Sequence, residues 1–112
     1  MSHLQDINNL ADLLQALKAE STPMFVNLCS RCENENYLMD QVVSNVQTEY
    51  GERLGYQKMP EMASRIIKQE LMVSKNPVLL LIKNGEIKAV FGGMIAQHKL
   101  TQALLNLKTE IN

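Results

Sequence analysis

The sequence of 112 residues predicts an α/β fold, a mixed central sheet of four or five strands flanked by helices on both faces. Three observations carry that expectation. Apolar residues fall into blocks of alternating period, in the order helix, strand, helix, strand, helix, hairpin, helix. The strongest strand, Val78-Leu79-Leu80-Leu81-Ile82, is apolar without interruption, as a strand covered on both faces must be. Asn84-Gly85 follows it directly and leads into Glu86-Ile87-Lys88-Ala89-Val90-Phe91, a strong short-range hairpin signal. A strand-helix-strand half followed by a hairpin and a helix combines parallel and antiparallel pairs in one sheet.

Each element has its own signal. Leu10, Leu13, Leu14 and Leu17 recur at helical spacing with polar residues between them, giving an amphipathic helix over about 7–19 that Ser21-Thr22-Pro23 ends. Met24-Phe25-Val26-Asn27-Leu28 reads as a short buried strand. Tyr37, Leu38, Val42, Val43, Val46 and Tyr50 predict one apolar face on a helix over about 31–49, stopped by Gly51. Arg53 to Met59 reads as a further strand, with Leu54, Tyr56 and Lys58 alternating with mixed neighbours. Pro60 suits a first helical turn, and Met62, Ile66 and Ile67 continue a helix to about Glu70. Gly92-Gly93 closes the hairpin, after which Leu100, Ala103, Leu104 and Leu107 mark a last helix over about 96–109, with its Lys and Glu residues on a wet face.

Composition narrows the function. The length predicts one domain across residues 1–112. Eleven basic against twelve acidic residues give a net charge of −1, which offers no field to recruit nucleic acid or an anionic membrane surface. The chain start, Met1-Ser2-His3-Leu4-Gln5-Asp6, lacks the pattern of a signal peptide, and the longest apolar run, Val78 to Ile82, is far below the roughly 20 residues of a membrane span. A reducing cytoplasm is the expected compartment. The core must be filled by aliphatic side chains and thioethers, since there are seven Met, three Tyr, two Phe and no Trp. Two cysteines are too few for a secreted disulfide scaffold, so their spacing, Cys29-Ser30-Arg31-Cys32, becomes the informative feature.

The segment Pro77-Val78-Leu79-Leu80-Leu81-Ile82-Lys83-Asn84-Gly85-Glu86 resembles the proline, strand and Asn-Gly hairpin of the thioredoxin family, and Gly93 lies at the spacing of the glycine after that family's last strand. Cys29-Ser30-Arg31-Cys32 stands between a buried strand and a long helix, where thioredoxin carries its redox dithiol. The resemblance covers about residues 10–108 and implies a thioredoxin-like thiol-disulfide oxidoreductase serving cell redox homeostasis. It implies Cys29 as the attacking thiolate and Cys32 as the resolving thiol, protein or small-molecule disulfides as substrates, and a thioredoxin-reductase-like electron donor. It also implies a cis Asn76-Pro77 bond beside the cysteines. A substrate-docking rim would then include Asn76, Pro77, Lys75, Arg31 and Gly93, with Val73 and Ser74 alongside; an ordinary trans proline opening a strand is the alternative.

The chemistry follows from residue types. Cysteines at i and i+3 at a helix start are close enough to reach disulfide geometry after small adjustments. A helix N-terminus stabilises a thiolate. Arg31 would reinforce that effect, and Glu33 and Glu35 would oppose it. The sequence departs from thioredoxin at the core of the motif: Leu28 replaces Trp, Ser30-Arg31 replaces Gly-Pro, and Asn27 stands where the family has a buried acid. An amide cannot take a proton, so a working site would need water or another group to do so.

Two registers remain open. Matching Cys29 to the family's first cysteine makes Cys29 and Cys32 the redox pair. Matching Cys32 to it aligns the helix with less adjustment but puts Glu35 in the second position, leaving Cys32 a lone thiol at the helix start. The corresponding second function is a thioredoxin-fold binding module or assembly adaptor that keeps the docking groove without turnover. Both cysteines could also be simple buried hydrophobes. No cofactor is implied, and no metal, because His3 and His98 lie apart from the motif and from each other. Met59, Met62 and Met72 read as core filler, and Tyr50 and Tyr56 as packing residues.

Overall fold

The computed structural model describes residues 6–109. Its elements follow the predicted order: α1 Leu10–Ala16, β1 Met24–Leu28, α2 Glu33–Tyr50, β2 Gly55–Met59, α3 Glu61–Leu71, β3 Val78–Lys83, β4 Glu86–Gly92 and α4 Gln97–Thr109. The four strands form one sheet in the order β2-β1-β3-β4. β1 and β2 are parallel, with Met24 opposite Gly55 and Leu28 opposite Met59. The β1–β3 and β3–β4 pairs are antiparallel, with a register shift between Leu81 and Ile82.

Strand alternation divides the core in two, because successive side chains point to opposite faces. Val26, Leu28, Val78, Leu80 and Ile82 pack with Leu13, Leu17, Ala63 and Ile67 on the α1/α3 side. Phe25, Leu79 and Leu81 pack with Met39, Val43, Val46, Leu100 and Leu104 on the α2/α4 side. β1 and β3 are therefore buried on both faces, which is why their sequences lack polar alternation. The polar exception is Asn27, fully buried on the α2 side.

The turn at Asn84-Gly85 has positive φ at both residues, 55° and 73°, as a primed hairpin turn requires. Gly85 has a second constraint: a Cβ there would stand 2.7 Å from the Leu14 carbonyl oxygen and 2.9 Å from Lys18 Cα. The glycine thus lets the hairpin lie against α1.

Four expectations need correction. α1 is shorter than predicted, because the Asn9 side chain caps it by accepting a hydrogen bond from Asp12 N–H. α2 begins at Glu33 rather than 31, since Cys32 is extended (φ −87°, ψ 112°) and serves as its N-cap. Tyr37 and Leu38 are exposed, at 60% and 50%; the buried stripe is Met39, Val43 and Val46, and at 100° per residue Tyr37 and Leu38 lie off it. Of the three methionines expected in the core, Met59 is buried, whereas Met62 and Met72 are exposed. Met62 faces away from the sheet, α3 burying Ala63, Ser64 and Ile67 instead, and Met72 is the left-handed C-cap of that helix. Among the described residues, no helix is long and apolar enough to cross a membrane.

Candidate functional site

Parallel β1 and β2 both end at the edge where α2 begins, so the β1–α2 loop, Cys29 to Cys32, lies beyond the carboxyl ends of two strands. Cys29 is the first residue after β1, half-buried, with its thiol directed at the Asn27 carbonyl oxygen at 3.8 Å. Cys32, three residues on, is exposed. Both are free thiols. The expected i,i+3 pairing on a first helical turn is therefore not the arrangement found. One cysteine leaves the strand and the other caps the helix, with Glu35 in the first turn.

Ser30 holds this loop in shape. Its hydroxyl oxygen accepts from Cys32 N–H at 2.9 Å, and the hydroxyl donates to Glu35 Oε1 at 2.7 Å. Asn36 closes a second clasp, its Oδ1 accepting from Ser30 N–H at 3.0 Å and its Nδ2 donating to the Ser30 carbonyl at 2.9 Å. Ser30 is buried as a result. Glu35 is thus bonded into the loop, a role beyond the opposing charge and the second motif position that the sequence offered for it.

On the α3 side, Cys29 opens onto a pocket of about 150 Å³ lined by Arg31, Glu61, Arg65, Lys68 and Asn76. Asn76-Pro77 is cis, as the resemblance implied, and Asn76 belongs to the same pocket wall as Cys29. Of the other rim residues, Pro77 is buried and its carbonyl accepts from Gly93 N–H at 2.7 Å, which joins Pro77 to Gly93. Lys75 does not line the pocket; its stem lies over Gly92, where an added Cβ would meet it at 3.3 Å. The structure therefore groups Cys29, Arg31 and Asn76, with Pro77 and Gly93 adjoining and Lys75 to one side.

On the α2 side lies a polar network that sequence reading missed. Asn27 Nδ2 donates to the Tyr56 hydroxyl at 3.1 Å. That hydroxyl donates to Asp40 Oδ1 at 2.5 Å, and Lys58 Nζ reaches Asp40 Oδ2 at 2.9 Å. Asn27 Oδ1 is buried with no partner among the described residues. Tyr56 is thus more than a packing residue. The available signal was its i,i+2 spacing with Lys58, which puts both on the Asn27 face of neighbouring strands; nothing local singled out Asp40.

Electrostatics tie the two sides to Cys29. Burial pushes its thiol above the ordinary cysteine value; Lys58 and Lys68 pull it down, while Asp40 pushes it up. Burial likewise pushes Tyr56 well above the usual phenol value, reinforced by its hydrogen bond to Asp40. Lys68 is lowered, again chiefly by burial, with the Cys29 charge acting in the opposite sense. No group of three or more His, Cys, Asp or Glu converges among the described residues to hold a metal ion. His98 is exposed, and His3 lies outside the described residues.

No family model and no curated protein matches the sequence. Solved structures do match. Reduced desulfothioredoxin from Desulfovibrio vulgaris Hildenborough superposes with a TM-score of 0.65 at 16% identity, over 83% of this chain and 88% of that one. Thioredoxin-2, a component of the malaria parasite's protein secretion machinery, gives 0.60 at 16% identity over 76% and 82%. A further malarial protein gives 0.60 at 16% identity over 76% and 96%. The chain has the thioredoxin-like fold, an α/β architecture around a mixed sheet.

Proposed function

We propose that this chain is a thiol-disulfide oxidoreductase that uses Cys29 and Cys32 as its dithiol. The observation that carries the reading is two free thiols three residues apart in the β1–α2 loop, with Cys29 and Asn76 in one pocket wall. Exposure and position favour an order of action opposite to the one implied by the resemblance. Cys32 is exposed at the N-terminal end of α2, open to an approaching substrate disulfide. Cys29 is half-buried, and burial keeps its proton on. Cys32 Sγ then attacks the substrate disulfide, whose S–S bond breaks as one substrate thiolate leaves. Cys29 loses its proton to water and attacks Cys32 Sγ, releasing the second substrate thiolate. Two electrons pass to the substrate, and the Cys29–Cys32 disulfide awaits reduction by an external dithiol donor. Lys58 and Lys68 favour the Cys29 thiolate that this second step needs. Protein or small-molecule disulfides are the substrates, and a reducing cytoplasm is the setting in which both thiols stay available.

A second reading, a binding module without turnover, is favoured by one observation: Glu35, bonded to Ser30, stands three residues after the cap cysteine. Titration in glutathione redox buffers, with thiols counted by alkylation and mass, separates the two. The oxidoreductase loses both alkylatable thiols together at one potential, and Cys29→Ser accumulates a mixed disulfide on Cys32. Absence of an internal disulfide at every poise overturns the dithiol and leaves the binding module.

A further inference from the structure

The pocket at Cys29 is strongly basic in a chain whose net charge is only −1. Three cations, Arg31, Arg65 and Lys68, line it against one carboxylate, Glu61. Both arginines lean on the same Glu61 oxygen, Oε2, Arg31 through Nε at 3.1 Å and Arg65 through Nη2 at 3.1 Å. One negative charge cannot neutralise two guanidiniums, and most of their fork of N–H donors stays unspent. Lys68 has no carboxylate partner among the described residues; its ammonium donates to the neutral Asn76 Oδ1. Burial and the neighbouring Arg65 disfavour that charge, while Cys29, Glu61 and Glu35 favour it, so a further anion between the two cations is electrostatically welcome.

We propose that this pocket is a carboxylate-binding subsite that selects acidic thiol and disulfide compounds, seating the carboxylate between Lys68 and Arg65 with the sulfur end toward Cys29. The substrate preference rests on the oxidoreductase reading above; the anion site itself does not. At about 30 Å³ per water, the pocket of about 150 Å³ holds the equivalent of about five waters. That is room for a carboxylate on a short methylene arm, the shape shared by a small acidic disulfide and by an acidic side chain next to a peptide cysteine. Bidentate capture by Arg65, with Lys68 as a point charge one helical turn further along α3, gives the site a preference over neutral and cationic compounds of equal size.

The test uses the full chain with both cysteines replaced (Cys29→Ser, Cys32→Ser), so that binding is read without exchange. The ¹⁵N-labelled protein is titrated with 3,3′-dithiodipropionate and with cystamine, a disulfide of similar length carrying ammonium groups. Saturable shifts at Arg65, Lys68 and Asn76 are expected with the dicarboxylate alone. Lys68→Met should weaken its binding about tenfold, the loss of one charge-assisted contact, whereas Lys68→Arg should stay within about threefold of the parent. Arg65→Met provides a second variant should Lys68→Met fail to fold. A Glu-containing peptide without sulfur tests the sulfur end: weaker affinity than the dicarboxylate disulfide supports the subsite, and equal affinity overturns its selection of thiol and disulfide compounds. Equal shifts with cystamine, no saturable shift, or dicarboxylate binding that ignores both substitutions overturns it. A failed redox titration combined with intact dicarboxylate binding would remove the oxidoreductase reading alone.

Discussion

The Tyr56 hydroxyl stands 2.5 Å from Asp40 Oδ1 and at the same time accepts from the buried Asn27 amide at 3.1 Å. This one phenol joins β1, β2 and α2 on the α2 side of Cys29. It brings the Asp40 carboxylate near the buried Asn27 amide. Asp40 supplies that charge from the helix and is itself held by Lys58.

Removing the hydroxyl should expose the cost of the arrangement. Asn27 Oδ1 is already without a partner among the described residues, so Tyr56→Phe leaves the buried amide unsatisfied at both ends and strips one bond from Asp40. The expected loss is about 1–3 kcal/mol, the penalty for stranding a buried polar group. Urea unfolding with an unchanged m-value checks it; a change below about 0.5 kcal/mol would show the network to be ornamental.

Asn27→Asp tests why an amide occupies this position. A carboxylate there would be fully buried close to Asp40, and both effects favour its neutral form. Its folded pKa is then raised, so the stability of the variant relative to the parent is retained below the unfolded carboxyl value of about 3.9 and lost as pH rises through the folded value. Unfolding midpoints of the two proteins should lie close together at pH 4 and separate by pH 8, with the variant the less stable.

The fold was legible because β1 and β3, apolar on both faces but for Asn27, and the Asn84-Gly85 turn are local signals that agree with the global architecture. The phase of α2 was not, because Tyr37 and Leu38 are apolar residues that the helix leaves exposed, and sequence cannot distinguish an exposed apolar residue from a buried one. The helix start moved for a related reason. Ser30 clasps the loop through bonds to Glu35 and Asn36, leaving Cys32 as the extended N-cap, and the spacing of the two cysteines carries no trace of these bonds. The basic pocket was equally hidden, since Arg31, Arg65, Lys68 and Asn76 meet only when α3 packs against the β1–α2 loop.

Two glycines separate backbone strain from collision. Gly51 and Gly85 share φ 73°, but an added Cβ at Gly51 meets nothing closer than the Glu49 carbonyl oxygen at 4.0 Å, whereas at Gly85 it meets Leu14 O at 2.7 Å and Lys18 Cα at 2.9 Å. Gly51→Ala should therefore cost about 1 kcal/mol, the left-handed penalty alone. Gly85→Ala must also push the hairpin off α1 and should cost at least about 1 kcal/mol more. Equal losses in thermal unfolding would mean that the hairpin yields freely.

Alkaline stability offers a test of the site as a whole. Cys29 and Tyr56 both have raised folded pKa values, chiefly through burial, so the fold favours their protonated forms. Such a group contributes stability that is fully present below its unfolded value, 9.0 for the thiol and 10.0 for the phenol, and that is lost as pH rises through the folded value. Stability should accordingly fall as pH climbs past 9, steepening past 10. Cys29→Ser should remove the earlier part of that fall and Tyr56→Phe the later part. Ultraviolet titration should show one tyrosine ionising above the ordinary range, absent in Tyr56→Phe. A stability profile in Cys29→Ser parallel to the parent between pH 8 and 10 would mean that the thiol is not held protonated by the fold, which would in turn free Cys29 to act as the attacking cysteine.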